Sequence, residues 1–154
     1  LDYIANAYAE APQASQQAKE ELAVLRAEAY HILAYRIALE NREFQSALSL
    51  NILALQTPYL NTEWKERLEW FAGVYEYLGG NFEGSKKKWE ALLSSTKDDS
   101  LRAMLYYWLA RAHHNLDHTA ESKFYLKNVV DEYPLSFYST VAPLMSGLKP
   151  EKDW

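Results

Sequence analysis

The chain has 154 residues, a net charge of −5 and a pI near 5.4, which give it no chain-wide attraction for nucleic acid or anionic lipid. Its 49% hydrophobic content is enough to build the core of one domain. Cysteine is absent, which excludes disulfides and thiolate chemistry and leaves the compartment open. The long uncharged run from Phe44 to Thr62 is interrupted by Gln45, Asn51, Gln56 and Pro58, so no membrane span is expected.

Taken in order, Leu1 to Ala11 places Leu1, Ile4, Ala7 and Tyr8 on one side and stops at Pro12, which suits the end of a helix belonging to a preceding unit. A start at Leu1 without methionine reads as a processed protein or an excised fragment. Ser15 is placed to cap a long helix from about Gln16 to Asn41, with Leu22, Leu25, Ala29, Leu33 and Ile37 expected along its packing face. Glu43 to Leu55 is its expected antiparallel partner, ended by Thr57 and Pro58. Asn61 or Thr62, followed by Glu63, then begins a helix that runs to Leu78. Gly79, Gly80 and Asn81 form a turn, and the chain returns as a helix through Phe82, Trp89, Leu92 and Leu93. A polar connection over Ser94 to Asp99 leads to Leu101–Pro134, which reads as two amphipathic helices broken at Asn115–His118. Ser136 is expected to cap a last short helix through Phe137, Tyr138 and Val141, cut short by Pro143 and then by Gly147 and Pro150.

The elements repeat. Leu109–Ala110, Phe71–Ala72 and Leu33–Ala34 are large–small pairs spaced by 38 residues. Tyr106, Leu68 and Tyr30 share one phase, and His113, Tyr75 and Ile37 share another. The second helices follow with Phe44, Ala47 and Ala54, with Phe82, Ser85 and Leu92, and with Thr119, Ser122 and Val129. A helix pair cannot bury its apolar face alone, whereas stacked copies can. The expected fold is therefore all-α, a right-handed superhelix of antiparallel helix pairs with about three repeats. It is expected to fill residues 1–154 as one domain, with 1–12 closing a preceding repeat and 136–154 forming a partial following helix and a tail.

These phases resemble the tetratricopeptide pattern, whose unit is usually about 34 residues long. More narrowly, the segment YYWLARA (Tyr106–Ala112) followed by YPLSFYS (Tyr133–Ser139) resembles the helical, non-catalytic region of soluble lytic murein transglycosylases. That resemblance implies a periplasmic protein in which this region positions a separate catalytic domain on peptidoglycan. The alternative is a tetratricopeptide-like adaptor that binds a partner's peptide or helix in its concave groove.

Candidate chemistry is sparse. Glu121–Ser122 imitates the Glu-Ser dipeptide of such transglycosylases, but the Gly-Leu-Met-Gln segment that accompanies it is missing and Ser122 occupies a small contact position of the repeat. No catalytic residue is therefore assigned. His113, His114 and His118 with Asp117 lose a shared helical face at the turn, so they read as structural residues, with Asp117 as the cap of the next helix. Lys86–Lys88 reads as a solvated face, and no residue set calls for a metal or cofactor. If the first helices line a groove, its inward phases are Glu28, His31 and Tyr35, then Glu66, Glu69 and Tyr77, then Met104, Tyr107, Arg111 and His114. From these, Tyr35, Glu69, Tyr77, Tyr107, Arg111 and His114 are the expected binding residues, because aromatics with a few charges suit peptide or sugar recognition.

Overall fold

A computed structural model describes residues 15–146. The helix expected over Leu1–Ala11 and the tail beyond Ser146 lie outside these residues. Seven α-helices fill the described chain, which contains no strand: α1 (Gln16–Arg36), α2 (Phe44–Leu55), α3 (Thr62–Leu78), α4 (Phe82–Ser95), α5 (Asp99–Asn115), α6 (Thr119–Glu132) and α7 (Phe137–Ser146). They divide between two compact units, residues 1–79 and 80–154.

The boundaries follow from local chemistry. Ser15 Oγ accepts from the Ala18 N–H at 3.2 Å, Asn61 Oδ1 from Trp64 N–H at 2.9 Å, and Asn81 Oδ1 from Gly84 N–H at 3.0 Å. Asp98 Oδ1 accepts from both Ser100 and Leu101, and Ser136 Oγ from Ser139. Each bond satisfies an amide that the first turn of a helix leaves without an intrahelical partner. Gly80 adopts φ 81°, a left-handed conformation that glycine takes at little cost.

Two boundaries differ from expectation. His118, rather than Asp117, occupies the N-cap position of α6, and Asp117 takes φ 59° in the turn before it. Aspartate tolerates that conformation better than most residues do. The last helix also does not stop at Pro143 but runs through it to Ser146. Proline removes one N–H and crowds the preceding turn, a cost that falls here in the second half of a short helix.

In the first unit α2 packs against both α1 and α3. The long helix continues past Arg36 as a π-helical turn over Ile37–Asn41, and Arg42 reverses the chain at φ 57°. The buried side of α1 consists of Ala23, Ala27, Tyr30 and Ala34, followed by Ala38 in the π turn. This corrects the expected face. Leu25 is 60% exposed and Leu33 is exposed as well, while Leu22, Ala29 and Ile37 are half-buried. Alanines allow the backbones of α1 and α2 to approach closely, so the small residues turn inward and the branched ones outward. Asn51 is fully buried and donates through Nδ2 to the Leu68 carbonyl at 2.7 Å, tying α2 to α3.

The second unit packs α5 against α4 and α6, with α7 lying on α6 and α5. Leu105, Leu109, Ala110 and Ala112 of α5 are completely buried, as are Trp89 of α4 and Val129 of α6. Ser122 is buried where α6 meets α5, and its hydroxyl donates to the Ala110 carbonyl at 2.9 Å. Arg102 fastens the base of the unit: Nε donates to the Tyr133 hydroxyl at 2.8 Å and Nη1 to the Leu93 carbonyl at 2.9 Å.

Burial sets the expected response to truncation. Leu109→Ala should cost about 2–5 kcal/mol, because it opens a cavity in a closed core. Leu25→Ala should stay within about 0.5 kcal/mol, as an exposed substitution does. Urea denaturation followed by circular dichroism measures both, and comparable losses would refute the phase assigned to α1.

Candidate functional site

The first unit carries the better-defined candidate surface. His31 and Tyr35 stand one turn apart on α1 and meet Trp64 and Phe71 of α3. The His31 ring lies edge-on to Phe71 at 4.4 Å and to Trp64 at 6.0 Å, and Tyr35 meets Phe71 nearly perpendicularly at 6.3 Å. The guanidinium of Arg67 lies over the Trp64 ring, 4.9 Å from its centroid. Edge-to-face contacts and cation–π stacking hold each ring in a defined orientation.

The surface is amphipathic. Tyr35 is 46% exposed and Arg67 is exposed, whereas His31, Trp64 and Phe71 are half-buried. Burial lowers the His31 pKa, and the Arg67 charge lowers it further against the opposing pull of Glu28. The imidazole is therefore held neutral, and its buried Nδ1 has no hydrogen-bond partner. Next to Phe71, the Tyr75 hydroxyl is also unpartnered, and burial pushes its pKa up to about 12.

Of the other expected groove residues in this unit, Glu69 is exposed and Tyr77 half-buried, both on α3. Partial burial and the neighbouring Glu66 carboxylate raise the Glu69 pKa, with Lys65 opposing. The expectation placed Tyr35 and His31 on this surface but missed Trp64, Arg67 and Phe71. A signal for them existed: the three recur at helical spacing on α3, but Phe71 had been assigned to the large–small packing pair.

In the second unit, Tyr107 is half-buried and packs on Tyr138 of α7 at 5.4 Å, so it belongs to the rim of that unit's core. Arg111 lies over the Trp108 ring at 4.7 Å, Met104 is half-buried, and His114 is exposed at the end of α5. Tyr107, Trp108 and Arg111 therefore form one cluster. His114 does not join the imidazole pair of this unit.

That pair is His113 and His118, with ring centroids 5.6 Å apart. His113 is 5% exposed and stacks on Tyr125 at 5.2 Å, and neither of its nitrogens has a hydrogen-bond partner. Its Nε2 stands 3.8 Å from Glu90 Oε1. Burial is the main reason its pKa is lowered; Lys86 and His118 act in the same direction, and Glu90 and Glu121 oppose them. Among the described residues, no three histidine or acidic side chains are placed to hold a metal ion, and no helix is long and apolar enough to cross a membrane.

Comparison of the chain with protein-family models, with curated proteins and with solved structures finds no match.

The two lowered imidazoles set a pH dependence. His31 and His113 bind protons less readily when folded than when unfolded, where histidine titrates near 6.5. As the pH falls through that value the unfolded chain takes up more protons, so stability drops. The melting temperature should decline between about pH 7 and pH 5. His113→Phe, which preserves a ring against Tyr125, should flatten the decline. Parallel melting profiles for the two proteins would exclude His113 as a contributor.

Proposed function

We propose that this chain is a non-catalytic helical scaffold that binds a protein or peptide partner, built as a right-handed superhelix of antiparallel helix pairs with about three 38-residue repeats. The observation that carries the binding reading is the surface on α1 and α3, where Tyr35 and the Trp64-stacked Arg67 flank a neutral His31. Rigid aromatic rings beside a charged donor are what recognition surfaces use as anchors, because they bury much area for little conformational entropy. The repeat reading is supported by burial at matching phases: Tyr30, Leu68 and Tyr106 are buried, and so are Ala34, Ala72 and Ala110. The small positions of the second helices, Ala47, Ser85 and Ser122, are buried too.

A second reading assigns the chain to the positioning region of a periplasmic lytic murein transglycosylase whose catalytic domain is not among these residues. The YPLSFYS segment of that resemblance joins α6 to α7 through hydrogen bonds, with Leu135 and Phe137 exposed. Tyr133 accepts from Arg102, and the Ser139 hydroxyl donates to the carbonyls of Pro134 and Ser136, at 2.8 Å each. On this reading, partners reach peptidoglycan through the missing domain, and the chain alone does not cleave it.

Panning a random peptide library against the full chain tests the first reading, with isothermal titration calorimetry measuring binding of the selected peptides. Tyr35→Ala combined with Arg67→Ala should weaken capture by at least about tenfold, because both anchors are lost, while the exposed positions leave the melting temperature nearly unchanged. Unchanged capture would remove this surface from the proposal. Cosedimentation with purified peptidoglycan sacculi addresses the second reading, as does a Glu-Ser and Gly-Leu-Met-Gln domain in the coding sequence after Trp154.

A further inference from the structure

The outward side of α1 carries a second apolar stripe. Leu25 and Ile32 lie seven residues apart on it and are 60% and 52% exposed, and Leu39, in the π turn that follows, is 60% exposed. Half-buried Leu22 precedes Leu25 by three residues, and half-buried Ala29 lies between Leu25 and Ile32, the three-and-four spacing of a helix seam. A helix that buries alanines and exposes leucine and isoleucine has its larger hydrophobic face still to cover.

The charges beside the stripe identify what covers it. Glu28 lies four residues before Ile32 and Arg36 four residues after it, and both are exposed. The charges around Ile32 are therefore complementary to their own reverse order. A second α1 laid antiparallel, with a twofold axis at Ile32, sets Ile32 against Ile32 and Glu28 against Arg36, the last pair occurring twice. A parallel arrangement would instead set Arg36 against Arg36 and Glu28 against Glu28.

We propose that the chain forms an isologous homodimer in which α1 pairs antiparallel with α1 of a second copy about Ile32. The arrangement closes on itself and exposes no further binding edge. Arg36 already meets Glu40 within its own helix at 3.1 Å, with both side chains well exposed. Such a surface pair is weak enough to yield to a partner's Glu28. Leu25 to Arg36 spans about 16 Å of α-helix. That makes a contact below the standard interface size and a reversible, concentration-dependent dimer.

Sedimentation of the full chain over a concentration series reads the equilibrium directly. Ile32→Asp should weaken the dimer by at least about tenfold, since it buries a charge at the axis. Glu28→Arg should weaken it by setting like charges together, and adding Arg36→Glu to that variant should restore it. Because the chain has no cysteine, Ile32→Cys provides an independent readout. Mild oxidation should link two copies at position 32 far faster than it links Leu53→Cys, placed on exposed surface of α2. A monomer at every concentration would overturn the proposal. So would a dimer indifferent to Ile32→Asp, or a charge swap that fails to restore what Glu28→Arg removes. Circular dichroism on each variant separates loss of pairing from loss of folding.

Discussion

Close approach of helices at small side chains is the constraint on which the two units depend. Ala27, Ala34, Ala47 and Ala54 in the first unit, and Ala110, Ala112 and Ser85 in the second, are completely buried. A methyl or hydroxymethyl group at such a point lets two backbones come together, and dispersion between them replaces what a larger side chain would have supplied. The cost is polar: a serine or asparagine in that position must find a hydrogen-bond partner or lose its hydration without return. Ser122 finds the Ala110 carbonyl and Asn51 the Leu68 carbonyl, so each polar residue at a helix crossing also joins the two helices.

The same constraint explains where the large residues go. When alanines occupy the inner side of α1, leucine and isoleucine on the adjacent phases are displaced to the rim and the outer surface. In the second unit the inner phases of α5 instead hold Leu105 and Leu109, which fill the volume themselves. The two units therefore bury similar helix pairs with different consequences. The first presents exposed aliphatic side chains along α1, whereas the second encloses Leu105 and Leu109 of α5 and ties Tyr133 through Arg102.

Much of this was legible in the sequence. The helices, their order, the caps at Ser15, Asn61 and Ser136 and the Gly79–Asn81 turn follow from local rules that act within four residues. The phase of α1 was not legible, because two apolar stripes run along it and periodicity ranks them by hydrophobicity rather than by how closely a neighbouring helix approaches. Leu25 and Leu33 are more hydrophobic than Ala27 and Ala34, yet the alanines are buried. A related limit applies to Tyr107. Its half-burial depends on Tyr138 of α7, a contact across a turn that no single-helix pattern encodes. Pro143 shows a third limit: a residue that usually ends helices is accommodated when the helix is short and packed on its neighbours.

The difference in how the two aromatic clusters are held bears on which of them can bind. In the second unit, Tyr133 accepts a hydrogen bond from Arg102, and the Tyr106 ring lies 5.9 Å from Tyr133 and 6.0 Å from Tyr125. These rings join the helices to one another, so displacing them would loosen the core. In the first unit, His31, Trp64 and Phe71 meet through ring edges, Arg67 rests on the Trp64 face, and His31 Nδ1 is unpartnered. Ring contacts of this kind are worth about 0.5–1.5 kcal/mol each. A partner that offered Arg67 an acidic group would therefore add an interaction at this surface while breaking none that the fold requires.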